Sequence, residues 1–216
     1  MQAILLALMS MMLLLTSTVA AVAAVPDTID GLPIGVMGFE GTFEGLEGVT
    51  ITANGTLNEI IAQAQLDHPH WKPAFLRQHG PSTDSALTPR ADTVELEQRK
   101  KLQVYCWPFP SRPDLQRADS YWVDRVIDYL VAVKGMAYAA PRECVQIACL
   151  GDATAYLCND AIGIVRRVST QALATYVGDI RIMCLTGWNG KTGLVCGKET
   201  DSERFYVIVM KQVGGC

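Results

Sequence analysis

The residues that could carry chemistry divide sharply along this chain. All seven cysteines lie at or beyond position 106: Cys106, Cys144, Cys149, Cys158, Cys184, Cys196 and Cys216. The three histidines, His68, His70 and His79, all precede them. Nucleophilic catalysis by Ser or Cys usually needs a histidine base, and the cysteine-rich part offers none. Zinc sites want cysteine pairs two to four residues apart, preferably two of them. The nearest pair here, Cys144 and Cys149, has no counterpart downstream. The cysteines therefore read as disulfide formers, and because seven is odd, one is free or pairs between chains. His68-Pro69-His70 reads as a solvent-facing pair at a helix end, since no third ligand accompanies it.

Carboxylates remain as the other route to catalysis. Asp160, which follows Cys158-Asn159, and Asp179, on a helix, are the best-placed pair for a glycosidase-like acid and base. Asp124 and Asp128 lie four apart and read as a polar helix face. Arg166-Arg167 is a lone basic doublet, too small for a phosphate track. Trp188, in the turn Gly187–Gly190, either anchors a partner or covers the core. No catalytic residue, metal or cofactor is assigned. The formal net charge of −4 argues against a nucleic-acid partner.

These side chains need elements to position them. Residues 3–15 form an apolar run, followed by small residues and the A-x-A site Ala21-Val22-Ala23. That pattern marks residues 1–24 as a signal peptide. A membrane anchor is the alternative, because about 20 apolar residues can span a bilayer; the small residues and Pro26 favour cleavage. No second long apolar run follows, so no membrane span is expected after signal removal.

Residues 25–71 read as a pro-region. Val36–Phe43 and Val49–Thr52 suggest a hairpin. Thr56 and Glu59 form a capping box for a helix running to about Leu66. Asn54-Gly55-Thr56 is a glycosylation sequon. Residues 72–101 read as a polar linker with basic processing sites, so the mature chain is expected to begin after Arg90 or Lys101. Charge changes there too: residues 25–101 hold 6 basic and 11 acidic side chains, and residues 102–216 hold 12 and 11.

Residues 102–216 read as a disulfide-stapled α+β domain. Its expected order is β-α-β-β-α-β-β, an antiparallel sheet with two helices packed on one face. The helices span Ser120–Lys134 and about Ser169–Cys184. Val145–Leu150 and Ala153–Cys158 flank the two-residue turn Gly151-Asp152. In that register Cys158 faces Val145, and Cys149 and Cys158 are too far apart to bond. Cys184 and Cys106 are then the likeliest partners for them. The closing strands are placed at Gly193–Gly197 and Phe205–Met210, around the turn Glu199–Glu203.

Glu143–Cys149 and Ala155–Asp160, with a helix ending near a Cys and the strand Tyr206–Val209, resemble small secreted cysteine-rich proteins of filamentous fungi. The segment Val49–Thr56, running into Glu59–Gln63, is similar to the pro-region ahead of such domains. The pattern resembles the killer-toxin-like and necrosis-inducing effector families. That resemblance implies an α/β-sandwich and a non-enzymatic role, and it carries no catalytic residues. The expected function is a secreted, extracellular fungal effector or toxin-like virulence protein that binds a host protein or cell-surface target. The alternatives are a small carboxylate-dependent hydrolase of cell-wall glycan and a structural wall-associated protein.

Overall fold

The structure is a computed structural model and describes residues 28–73, 101–110 and 112–216. The expected signal peptide, Arg90 and His79 lie outside the described residues. The elements run β1 (Thr28–Ile29), β2 (Leu32–Gly35), β3 (Gly38–Phe43), β4 (Ile51–Asn54), α1 (Leu57–Asp67), β5 (Lys101–Cys106) and β6 (Ala118–Asp119). There follow α2 (Ser120–Ala132), β7 (Val133–Ala139), β8 (Glu143–Leu150), β9 (Ala153–Asn159), β10 (Arg166–Ser169) and α3 (Thr170–Met183). The last are β11 (Leu194–Val195), β12 (Gly197–Asp201) and β13 (Phe205–Lys211). The fold is α+β.

A seven-stranded sheet has the order β1-β2-β8-β9-β13-β12-β5, and a four-stranded sheet the order β10-β7-β3-β4. A small pair joins β11 to β6. The two faces of the large sheet follow the period of two that strands impose. Odd positions on β9 and β13 (Ala155, Leu157, Phe205, Val207, Val209) pack with Val126 and Leu130 of α2 and Leu173, Val177 and Ile180 of α3. Even positions (Tyr156, Cys158, Tyr206, Ile208, Met210) pack with Ile29, Leu32, Phe109 and Leu115. Every residue of β9 is buried, which explains why it reads as a largely apolar run; its two polar residues, Thr154 and Asn159, are hydrogen-bonded.

Capping chemistry sets the helix starts. Thr56 and Glu59 form the expected capping box on α1. The Asp119 side chain accepts from the Tyr121 amide at the start of α2, and Ser169 accepts from Ala172 at the start of α3.

Residues 28–73 do not form a unit of their own. β2 pairs parallel with β8, Ile34 against Cys144 and Gly35 against Val145. β3 pairs along its whole length with β7, from Gly38↔Tyr138 to Phe43↔Val133. Asn58 of α1 binds both backbone groups of Cys149, donating to its carbonyl at 2.7 Å and accepting from its amide at 3.3 Å. At the centre of the β3–β7 ladder Gly41 faces Gly135, and the Phe39 ring lies where a Gly135 side chain would be. Composition suggested a boundary in residues 72–101; the sheets join what lies on either side of it.

Several strands depart from the expected order. β1, β2, β6, β7 and β10 were not anticipated, and β11, which lies within the expected strand Gly193–Gly197, pairs with β6 and not with the last strand. α2 stops at Ala132 rather than Lys134, because Val133 is already extended and begins β7. The closing hairpin is displaced: β12 takes Gly197–Asp201, so Glu199 is a strand residue and not part of a turn.

Candidate binding surface

Three disulfides staple the molecule: Cys106–Cys184, Cys144–Cys158 and Cys149–Cys216. Cys196 is a buried free thiol, pushed up to about 12 by burial. Near the Gly151-Asp152 turn the register is the expected one, with Cys149 opposite Thr154 and Leu150 opposite Ala153. A bulge between Gln146 and Ala148 then slips β8 by one residue. It lets Ile147 and Ala148 both face the helices, and it sets Cys144 rather than Val145 opposite Cys158. Cys149 and Cys158 do not bond to each other. The partners expected for them are corrected, since Cys106 and Cys184 bond together. No bridge reaches residues 28–73.

The loop Asp160–Val165, between β9 and β10, exposes three aliphatic side chains. Ile162 is 74% exposed, Ile164 53% and Val165 52%. Exposed aliphatic side chains are ordinary singly, but three on one short loop make a patch. The loop is held from beneath by Asn159, which is fully buried. Its Nδ2 donates to the carbonyls of Ala139, Ala140 and Ile164, at 3.1, 3.0 and 2.7 Å. Its Oδ1 accepts from the Ala161 amide at 3.0 Å. Gly163 turns the tip with φ 71°. Ala161 packs inward at 2% exposure, so the three aliphatic groups point away from a fixed base.

Around this tip every arginine is engaged. Arg142, in the β7–β8 turn, pairs with Asp160, and Arg204 donates to the Asp160 carbonyl. Arg166 pairs with Glu203. Arg167 donates to the Tyr138 hydroxyl, which in turn donates to Glu40. An apolar centre with a paired polar rim is the arrangement of a protein-binding hot spot. A preset loop also loses little conformational freedom on binding. Asn159→Ala would remove the two N–H donors shared by the carbonyls of Ala139, Ala140 and Ile164 and the acceptor of the Ala161 amide, in a buried or half-buried place. We expect it to cost about 2–4 kcal/mol and to free the loop, read as a lower urea midpoint and faster amide exchange at Ala161.

No family model, curated protein or solved structure matches the chain.

The carboxylates weighed for hydrolysis are not brought together. Asp160 is held by Arg142, while Asp179 on α3 is held by Lys101 at 2.5 Å. The acid that shares Lys101 with Asp179 is Glu199, which was not anticipated as a site residue. Glu199 is 3% exposed and its Oε2 lies 3.7 Å from Lys101 Nζ. Burial pushes its carboxyl up to about 7; Lys101 opposes the rise and Asp179 adds to it. Beside it the Tyr176 hydroxyl bonds Asp201 at 2.5 Å, and Lys101 lies over the Tyr176 ring. The group straps α3 to β12 and β5.

We expect this strap to make stability depend on pH. A carboxyl raised from its ordinary 4.5 to about 7 in the fold penalises folding where it is ionised. Its contribution is therefore worst above pH 7 and improves as pH falls through 7 towards 4.5. At about 1.4 kcal/mol per pH unit the gain is at most about 3 kcal/mol. Urea midpoints at pH 8 and pH 5 check this; the gain should shrink in Glu199→Gln.

The other anticipated residues are structural or surface groups. Lys101, one expected processing point, is the first residue of β5 and faces Asp201; a cut after it would take the shared cation from Asp179 and Glu199. Asn54 is exposed at the end of β4. His68 caps the C-terminus of α1, and His70 is exposed. Among the described residues no cluster of His, Cys, Asp or Glu could hold a metal, and no helix is long and apolar enough to cross a membrane. Asp124 and Asp128 each bind an arginine, Arg181 and Arg125. The loop Asp160–Val165 was not read as a site. Its signal, Ile-Gly-Ile-Val two residues beyond a buried strand and just ahead of Arg166-Arg167, was present in the sequence.

Proposed function

We propose that this is a secreted fungal effector or toxin-like protein that acts by binding an extracellular or host target through the Ile162–Val165 tip. One observation carries the reading: a buried asparagine ties the loop backbone, at the Ala161 amide and the Ile164 carbonyl, to the carbonyls of Ala139 and Ala140, and three aliphatic side chains of that loop stand out in water. The disulfide-stapled α+β architecture, with α2 and α3 on one face of the large sheet, supports a killer-toxin-like fold within this proposal. Three bridges suit an oxidising compartment, which supports secretion. Processing in residues 72–101 also belongs to the proposal, with one change. Residues 28–73 share both sheets with the rest, so they stay bound after a cut unless unfolded away.

The glycan-hydrolase reading is the weaker one, because Asp160 and Asp179 serve separate ion pairs and Glu199 is buried. The experiment is labelled protein applied to plant cells and fungal hyphae, beside a panel of wall glycans. Saturable cell binding is expected, retained in Asp179→Asn and Glu199→Gln, with no glycan turned over. Turnover that vanishes in either variant while the fold persists would favour the hydrolase.

A further inference from the structure

At the other end of β12 and β13, well away from the Ile162–Val165 tip, a second surface has a different character. α3 ends in Ile182 and Met183, 73% and 67% exposed. The chain then makes a tight hairpin. Thr186 and Leu194 exchange both backbone hydrogen bonds, and the Asn189 amide donates to Thr192. The Asn189 side chain accepts from the amides of Lys191 and Thr192, fixing the turn. Trp188 stands at its tip, 56% exposed. The hairpin is anchored where Ser120 and Gly193 exchange hydrogen bonds.

Charge distinguishes this surface from the first. From Ile180 to Gly197 there is no acidic residue. Lys191 is exposed beside Trp188. Arg117 donates to the Thr186 hydroxyl at 2.9 Å and lies over the Trp107 ring, with no carboxylate bound to it among the described residues. The nearby acids are committed: Asp119 caps α2, Asp124 binds Arg181, and Asp152 accepts from the Asp119 amide.

We infer that the Ile182–Lys191 surface docks on a lipid bilayer bearing anionic headgroups. Tryptophan favours the membrane–water interface, where its ring is buried and its N–H stays wet. Ile182 and Met183, exposed at the end of the helix that leads into this hairpin, would add aliphatic contact, and Lys191 and Arg117 would supply the positive charge for the headgroups. A soluble polyanion would use the two cations and leave three large apolar side chains without a role. The arrangement makes a peripheral contact and leaves the opposite tip free for a protein target.

The test is flotation of the full chain with phosphatidylcholine vesicles and with vesicles that also contain phosphatidylserine. Binding is expected to the second kind, with tryptophan emission moving to shorter wavelength. Trp71 is buried, and Trp107 and Trp122 are half-buried, so Trp188 should carry the shift. Trp188→Ala should remove it and lower partition about tenfold, and Lys191→Ala should lower partition about fivefold. Both residues are exposed at a turn, and unchanged thermal melts will show the variants folded. Failure to float with either vesicle, equal flotation with both, or a Trp188→Ala variant that floats like the parent would overturn the inference. So would binding to soluble polygalacturonate that Trp188→Ala leaves intact, in the absence of flotation.

Discussion

A chain expressed without residues 28–73 is expected not to fold. Phe39, Phe43, Leu57, Ile60, Ile61 and Trp71 would leave the core beneath the helices, and Ile29 and Leu32 would leave the opposite face. Each large apolar side chain is worth about 1.5–3 kcal/mol when fully buried. Eight of them, about 12–24 kcal/mol together, match or exceed the roughly 5–15 kcal/mol by which folded proteins are stable. The truncation would also open the β8 edge that β2 covers and the β7 edge that β3 covers, exposing strands to aggregation. Near-UV circular dichroism and a thermal melt of residues 101–216 check this. No cooperative transition is expected, and residues 28–73 added as a separate peptide should restore one. A truncated chain melting like the parent would show that the first segment is dispensable.

Reduction of the disulfides should have the next largest effect. The bridges close sequence separations of 78, 14 and 67 residues. By chain entropy each stabilises by about 3–5 kcal/mol, least for the shortest loop. Together they rival the whole stability of a domain this size. The pairs do different work. Cys106–Cys184 ties edge strand β5 to the end of α3, and Cys149–Cys216 ties the segment after β13 to the β8 end of the Gly151 turn. Reduction and alkylation should abolish both the cooperative melt and any plant-cell or antifungal phenotype. Replacing the Cys144–Cys158 pair with alanines should cost less than replacing Cys106–Cys184. A reduced chain that keeps its melt and its activity would refute this.

Much of the fold could be read from residue pattern, for identifiable reasons. Thr56 and Glu59 announced α1, and Leu173, Val177, Ile180 and Cys184 at helical spacing announced the buried face of α3. β7 was hidden because Val133-Lys134 continues the helical period of α2, and only pairing with β3 and β10 draws it into a sheet. The bulge that sets Cys144 against Cys158 left no mark on composition, since Ile147 and Ala148 suit either face. The joining of the two halves was masked by a real contrast in charge and cysteine content. Charge and cysteine content report compartment and surface, whereas strand pairing depends on backbone geometry. Asn159 was noted only as part of Cys158-Asn159-Asp160. Its bonds run to Ala139 and Ala140, some twenty positions away, which no local spacing reveals.

The most direct test is the double variant Ile162→Asp, Ile164→Asp compared with the parent for binding to plant cells and hyphae. The fold should be unaffected, because both side chains already face water and the bonds from Asn159 are to backbone and not to these side chains. Burying either carboxylate at a contact would cost several kcal/mol, so cell binding and phenotype should fall by at least a hundredfold while the melt is unchanged. A double variant that binds and acts like the parent would show that the tip is not the site of action.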